Sequence, residues 1–102
     1  MSATSPGWTF LSNHGHVLVS LAADPDARVR DIADRVGITD RAVQLIVADL
    51  EEAGYVERRR VGRRNHYTVA TGGRFRHPLE EHVQVGDFLA LVTGPGPAPP
   101  GG

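Results

Sequence analysis

Apolar residues in the first half of the chain recur every three or four positions, which is the period of an amphipathic α-helix. The pattern predicts a first helix over residues 13–23, which Ser12 or Asn13 can cap and Pro25 stops. A second helix is predicted over residues 30–36. The apolar positions of these two helices are Val17, Leu18, Leu21, Val29, Ile32, Ala33 and Val36.

A very short link joins the second helix to a third. Gly37 suits the left-handed end of a helix, and Thr39 is a good N-cap for a third helix that ends at Gly54. Because only GIT separates the two helices, they must meet at a sharp angle, as in a helix-turn-helix. A very short strand is predicted at residues 27–29, ahead of the second helix. The stripe of the third helix is Val43, Ile46, Val47 and Leu50.

After the third helix the pattern changes to that of β-strands. Two strand-like runs follow within YVERRRVGRRNHYTVA, on either side of a glycine. A turn centred on residues 62–63 puts Val56 opposite Val69 and Arg58 opposite Tyr67. This register predicts that Val56, Tyr67 and Val69 face the core while several arginines point outward.

A last helix is predicted over residues 78–92, where Pro78 suits the first position. The folded unit is therefore expected to cover residues 8–93, and the Gly/Pro segment 94–102 to be a disordered tail. Trp8, Phe10 and Leu11 are expected to pack beneath the first helix. The apolar stripe of the last helix is predicted to form a dimer interface, through Leu79, Val83, Val85, Phe88, Leu89 and Val92.

The length of 102 residues suggests one domain, and the absence of cysteine excludes disulfides and thiolate metal sites. No apolar run approaches the ~20 residues that a membrane span needs. The first residues have no basic region followed by an apolar one, so no signal peptide is predicted. A cytoplasmic protein is the expectation.

The charge is distributed unevenly along the chain. The formal net charge is -1, yet all eleven basic residues are arginine, and residues 58–76 hold seven of them without any Asp or Glu. A local basic patch of this kind is typical of a surface that binds nucleic acid.

The order of these elements resembles that of known regulators. The run VRDIADRVGITDRAVQLIVADLEEAGYVERRRVGRRNHYTV, residues 29–69, resembles the multiple-antibiotic-resistance (MarR) and arsenic-repressor (ArsR) regulators. The resemblance implies a mainly α fold with a small β-hairpin, which is a winged helix-turn-helix with a three-helix core, a wing and an additional C-terminal helix. It also implies a homodimeric transcription factor that binds double-stranded DNA, with its recognition helix, residues 39–53, in the major groove.

The resemblance also implies which residues contact DNA. Arg41 can donate a fork to guanine, Gln44 can pair with adenine, and Leu45 or Ala42 can touch a thymine methyl. Thr39, at the helix N-terminus, can hold a phosphate. Related regulators often carry a basic residue near positions 45 and 48, where this chain has apolar ones. The implied recognition surface is Thr39, Arg41, Ala42, Gln44, Leu45 and Ala48.

The wing, residues 56–69, is predicted to lie on the DNA backbone and minor groove. Its arginines can also be read as a solvated surface hairpin, but clustered like charges repel by ~1 kcal/mol per close exposed pair, and a phosphate backbone would relieve that repulsion. Arg63, at the predicted tip, is the candidate for the minor groove. Arg58 is expected to lie along the core or to reach a carboxylate. The predicted wing contacts are Arg59, Arg60, Arg63 and Arg64.

Other functions stay open at this point. One alternative is a winged-helix protein-interaction module without sequence-specific DNA binding, in which the arginines meet an acidic partner, and the acidic residues that flank the third helix suit it. A ligand- or metal-responsive repressor is a further alternative. The histidine pairs His14/His16 and His77/His82 invite a metal site, but residues five apart do not share one helical face, and no metal or cofactor is predicted. No catalytic set or phosphate loop is present in the sequence, so an enzyme is not expected.

Overall fold

The computed structural model of the chain describes residues 7–93. Within them, three packed helices are followed by a two-stranded antiparallel hairpin and a fourth helix, which confirms the predicted winged helix-turn-helix with a C-terminal helix. The predicted tail, residues 94–102, lies outside the described residues. The elements are α1 (Asn13–Ala23), α2 (Val29–Val36), α3 (Asp40–Glu52), β1 (Val56–Val61), β2 (Arg64–Val69) and α4 (Val85–Thr93).

One hydrophobic core holds these elements together. The predicted stripes of the first three helices supply most of it, and the hairpin and α4 close it from the other side. Burial of these side chains is the main favourable term that fixes how the helices are packed. The core consists of Val17, Leu18, Leu21, Ala27, Ile32, Ala33, Val43, Ile46, Val47, Leu50, Val56, Tyr67, Val85 and Leu89.

The turn between α2 and α3 forms as the sequence predicts. Gly37 has a φ of 86°, and the amides of Gly37 and Ile38 both donate to the Ala33 carbonyl, at 2.7 and 3.1 Å. The hydroxyl of Thr39 accepts a hydrogen bond from the Ala42 amide at 3.0 Å, which caps α3. These local bonds satisfy some of the free backbone groups at the two helix ends within a turn of only three residues.

The hairpin has the predicted register. Val56 pairs with Val69 and Arg58 with Tyr67, and Gly62 takes the positive φ that the tight turn requires. Val56 and Tyr67 are buried, so one face of the hairpin is anchored in the core.

The predicted short strand at residues 27–29 is wrong. Val29 already belongs to α2, and only one backbone hydrogen bond, from the Tyr67 amide to the Pro25 carbonyl at 2.9 Å, joins this region to the hairpin. The single bond ties the hairpin to the α1–α2 loop without forming a third strand.

The last helix begins later than predicted. Residues 77–84 form turns, and α4 starts only at Val85. The Arg74 guanidinium donates to the His82 carbonyl at 3.1 Å, and Arg74 pairs with Gln84 as an isolated antiparallel bridge. These contacts join residue 74 to residues 82 and 84, so they replace helical hydrogen bonds at the start of the predicted helix. The prediction of a helix from residue 78 is therefore wrong.

The N-terminal aromatic residues also differ from expectation. Trp8 and Phe10 are 73% and 93% exposed, and their rings meet edge to face with centroids 5.2 Å apart. Leu11 is half-buried. The expectation that Trp8 and Phe10 pack beneath α1 is therefore wrong, and the two rings form an exposed apolar surface.

Candidate nucleic-acid interface

The outward face of α3 is continuous and free of contacts with the core. Arg41, Gln44, Leu45 and Ala48 are exposed, on the side of the helix opposite its buried stripe. Since residues three and four apart share a helical face, these four side chains form one surface. Only Arg41 among them carries a charge. This surface has the width and the mixed donor and apolar chemistry that a major groove accepts.

The two remaining residues of the predicted recognition surface lie at its edge. Ala42 is half-buried, while Thr39 is exposed and uses its hydroxyl oxygen to cap the helix. A hydroxyl that accepts one hydrogen bond still has a proton to donate. Thr39 can therefore serve the helix and a phosphate oxygen together, whereas Ala42 offers little surface.

The wing exposes its predicted arginines on both faces. Because successive residues of a strand point to opposite sides, Arg59 and Arg60 project in opposite directions, and Arg64 lies on the same face as Arg59. Arg63 lies in the turn. The Arg60 Nε donates to the Gly62 carbonyl at 3.2 Å, which directs that side chain toward the tip. The tip of the hairpin is therefore surrounded by positive charge.

Arg58 has a different role from the other wing arginines. Its Nε lies 3.3 Å from a carboxylate oxygen of Glu51, at the end of α3. The expectation that Arg58 reaches a carboxylate is confirmed. Within residues 7–93, no carboxylate lies within salt-bridge distance of Arg41 or of the four remaining wing arginines. The charges of all five are therefore available to a binding partner. The four wing residues are Arg59, Arg60, Arg63 and Arg64.

Two histidine–aspartate pairs join α3 and the wing to the rest of the domain. His14 Nε2 lies 2.8 Å from an Asp49 carboxylate oxygen and links α1 to α3. His66 Nδ1 lies 2.8 Å from an Asp26 oxygen and links β2 to the α1–α2 loop. Neither pair is predictable from the sequence, since partners 35 and 40 residues apart leave no local pattern.

The residues predicted for a dimer interface differ in how much surface they expose. Val85 and Leu89 are only 2% and 4% exposed and fill the core of a single chain, which corrects their assignment to an interface. Phe88 is half-buried and meets Phe75 edge to face, at 5.5 Å between centroids. Three others keep surface that a partner can cover, to different extents: Leu79, Val83 and Val92.

An open groove of about 860 Å³ lies between α1, the end of α3 and the segment that leads into α4. Phe10, Phe75 and Phe88 give it apolar walls, and His14 with Asp49 borders it. The end of the recognition helix therefore lines part of this groove. Within residues 7–93, no cluster of three metal-ligating side chains forms, and no helix is long and apolar enough to cross a bilayer.

Comparison with known families decides between the related regulators. A family model described as the MarR family matches residues 9–64, which is more than half of the chain. The chain belongs to the MarR family. The match includes α1, the helix-turn-helix and the first strand of the wing. Members of the MarR family are DNA-binding transcription regulators, which agrees with the prediction that this chain is not an enzyme.

Two solved structures are similar to this MarR-family chain. MepR, a transcription regulator of the Staphylococcus aureus multidrug efflux pump MepA, aligns with a TM-score of 0.51 and 26% sequence identity, over 58% of this chain and 46% of that one. The PcaV transcriptional regulator from Streptomyces coelicolor, in complex with its natural ligand, aligns with a TM-score of 0.54 and 23% identity, over 86% and 64%. The likeness to PcaV concerns the fold alone.

The chain spans less than two thirds of the length of either regulator. No protein of curated function matches the chain.

Proposed function

We propose that the chain is a sequence-specific DNA-binding transcriptional regulator that acts as a homodimer. The observation that carries the proposal is the pairing of one exposed helix face with an adjacent wing whose arginines, at the tip, have no carboxylate partner within residues 7–93. An α-helix fits the major groove of B-DNA, and clustered arginines gain by releasing counterions from phosphates.

Each element has a separate task in this proposal. Arg41 forms a fork to guanine O6 and N7, and Gln44 pairs with adenine, so α3 reads bases. Arg63 enters the minor groove at the wing tip, and its neighbours bind phosphates on either side. The wing supplies affinity and α3 supplies sequence preference.

The homodimer is supported by apolar side chains that are exposed in the segment before α1 and in the segment from residue 79 through α4. Trp8, Phe10, Leu79, Leu91 and Val92 are exposed although all five are large and hydrophobic. Exposed apolar groups in such number are typical of a surface that another chain covers. A two-fold dimer would present two α3 helices to half-sites about one DNA turn apart.

Selection of bound duplexes from a random pool tests this function directly. Enrichment of a palindromic motif is expected, since two symmetric recognition helices read two symmetric half-sites. A pool that shows no enrichment, with protein that is folded, would exclude sequence-specific binding.

Arg41→Ala is expected to weaken binding to the selected duplex by about 5- to 150-fold per half-site, because each bidentate contact contributes about 1–3 kcal/mol of discrimination. The preference at one base pair of each half-site should relax at the same time, as measured by titration of single-base variants of the duplex. Arg41→Lys is the matched control, since it keeps the charge and loses the fork. If Arg41→Lys retains full base preference, the bidentate contact is wrong.

Glu51→Gln is expected to tighten DNA binding. The change removes the carboxylate that holds Arg58 at 3.3 Å, so that Arg58 becomes free to bind a phosphate. The slope of log K against log salt should become steeper by about one unit per protomer. Glu52→Gln is the matched control, because it removes the same charge from the same helix without a contact to Arg58. Equal slopes for the two variants would show that Arg58 gains no phosphate.

A protein-binding module is the second candidate. Asp40 and Glu52 are exposed near the two ends of α3 and would oppose close approach of phosphates. If the protein gives no shift of any duplex at micromolar concentration and low salt, this second function replaces the first.

A ligand-responsive regulator is a finer form of the first function. The groove behind α3 has apolar walls and touches Asp49 and Leu50, so an occupant would contact the recognition helix. A small molecule that binds there is expected to change DNA affinity, which titration in the presence of candidate apolar compounds can measure.

A further inference from the structure

Leu45 is unusual among the residues of the recognition helix. It is a large hydrophobic side chain that is 57% exposed, and it is the only such side chain on α3. The core-facing stripe of α3 is complete without it. The fold therefore does not require an apolar residue at this position.

The surroundings of Leu45 are also poor in charge. Its neighbours on the outward face are Arg41, Gln44 and Ala48, of which only Arg41 is charged. Asp49, one helical turn further along the same flank, is bound by His14 at 2.8 Å. The nearest carboxylate on this flank thus already has a hydrogen-bond partner on α1.

The major-groove edges of the four base pairs carry only one apolar group. That group is the C5-methyl of thymine, and every other feature there is a hydrogen-bond donor or acceptor. A leucine side chain can make no hydrogen bond, so the methyl is the base feature that it can recognise. Ala42 is half-buried beside the cap of the helix, which leaves Leu45 as the better placed of the two apolar candidates.

We propose that Leu45 reads the C5-methyl group of one thymine in each half-site, so that the ligand of this surface is a duplex with a 5-methylpyrimidine opposite the middle of α3. The inference rests on the proposed DNA-binding function. An apolar contact then contributes to base recognition at this position. A basic residue there would bind a phosphate or a guanine whether or not the methyl group is present.

Thymine-to-deoxyuridine exchange in the selected duplex tests the proposal, since it removes the methyl and keeps base pairing. At one thymine of each half-site, the unaltered protein is expected to lose about fourfold in affinity per methyl group. Leu45→Ala should bind the thymine duplex more weakly by a similar factor, and it should not distinguish thymine from uracil at that position. Arg35→Ala, which also truncates an exposed side chain but lies on α2, is the control and should keep the full preference for thymine.

The outcomes distinguish a failure of the Leu45 contact from a failure of DNA binding itself. If the protein binds the duplex but no exchange to uracil weakens binding, or if Leu45→Ala keeps the preference for thymine, the role of Leu45 is overturned and the DNA-binding function stands. If no duplex is bound at all, the proposed function itself fails. The exchange is made in the DNA, so the result for the unaltered protein does not depend on how any variant folds.

Discussion

Replacing Arg63 and Arg64 together by alanine is expected to weaken DNA binding by about 100- to 1,000-fold near physiological salt, because a dimer loses up to four phosphate-neutralising charges. The slope of log K against log salt should become shallower by about two to four units. Both arginines are exposed at the wing tip and neither has a carboxylate partner within residues 7–93. Fluorescence anisotropy of one labelled duplex over a series of salt concentrations measures both quantities.

Two controls distinguish the effect of charge on the wing from the effect of total charge and from the effect of guanidinium geometry. Arg35→Ala removes an arginine that already pairs with Asp24 at 3.4 Å, and it should leave the salt slope unchanged. Arg63→Lys/Arg64→Lys keeps both charges, so the slope should stay while any contact that needs a guanidinium fork is lost. An unaltered slope in the double alanine variant would remove the wing from the DNA interface.

The parts of the fold that the sequence predicted are those that depend on local patterns. The α1 bounds, the three-residue turn after Gly37 and the hairpin register follow from helical spacing, glycine and strand alternation within short stretches. The outward face of α3 was predictable for the same reason, since Val43 and Leu50 fix which side is buried. Local propensity and the final packing agree in these elements.

The parts that could not be predicted depend on contacts between distant residues. The stretch before α4 has proline and acidic residues that favour a helix start, but the bridge from Arg74 to Gln84 outweighs that preference. The pairs His14–Asp49 and Arg58–Glu51 likewise require the folded arrangement of their elements. For the second pair, the sequence predicted that Arg58 reaches a carboxylate, but it did not predict which one. Which charges remain free for DNA is therefore a property of the fold and cannot be counted from composition.

Ile32→Ala is expected to lower the free energy of unfolding by about 2–5 kcal/mol, because the truncated side chain leaves a cavity that its neighbours cannot fully close. Ile32 is completely buried and lies on α2, which packs against both α1 and α3. The loss is a large share of the ~5–15 kcal/mol that typically stabilises a domain. Urea unfolding at one fixed protein concentration measures it, since a dimer's stability depends on concentration.

The matched variant Ile32→Val keeps most of the packing and should cost only about 0.5–1.5 kcal/mol. Because α2 sets the position of α3 through this core, Ile32→Ala should also weaken DNA binding at temperatures near its midpoint of unfolding, while Ile32→Val should not. A large stability loss with full DNA affinity up to the midpoint would mean that α3 keeps its position without α2. A loss below about 1 kcal/mol for Ile32→Ala would contradict the packing of α2 itself.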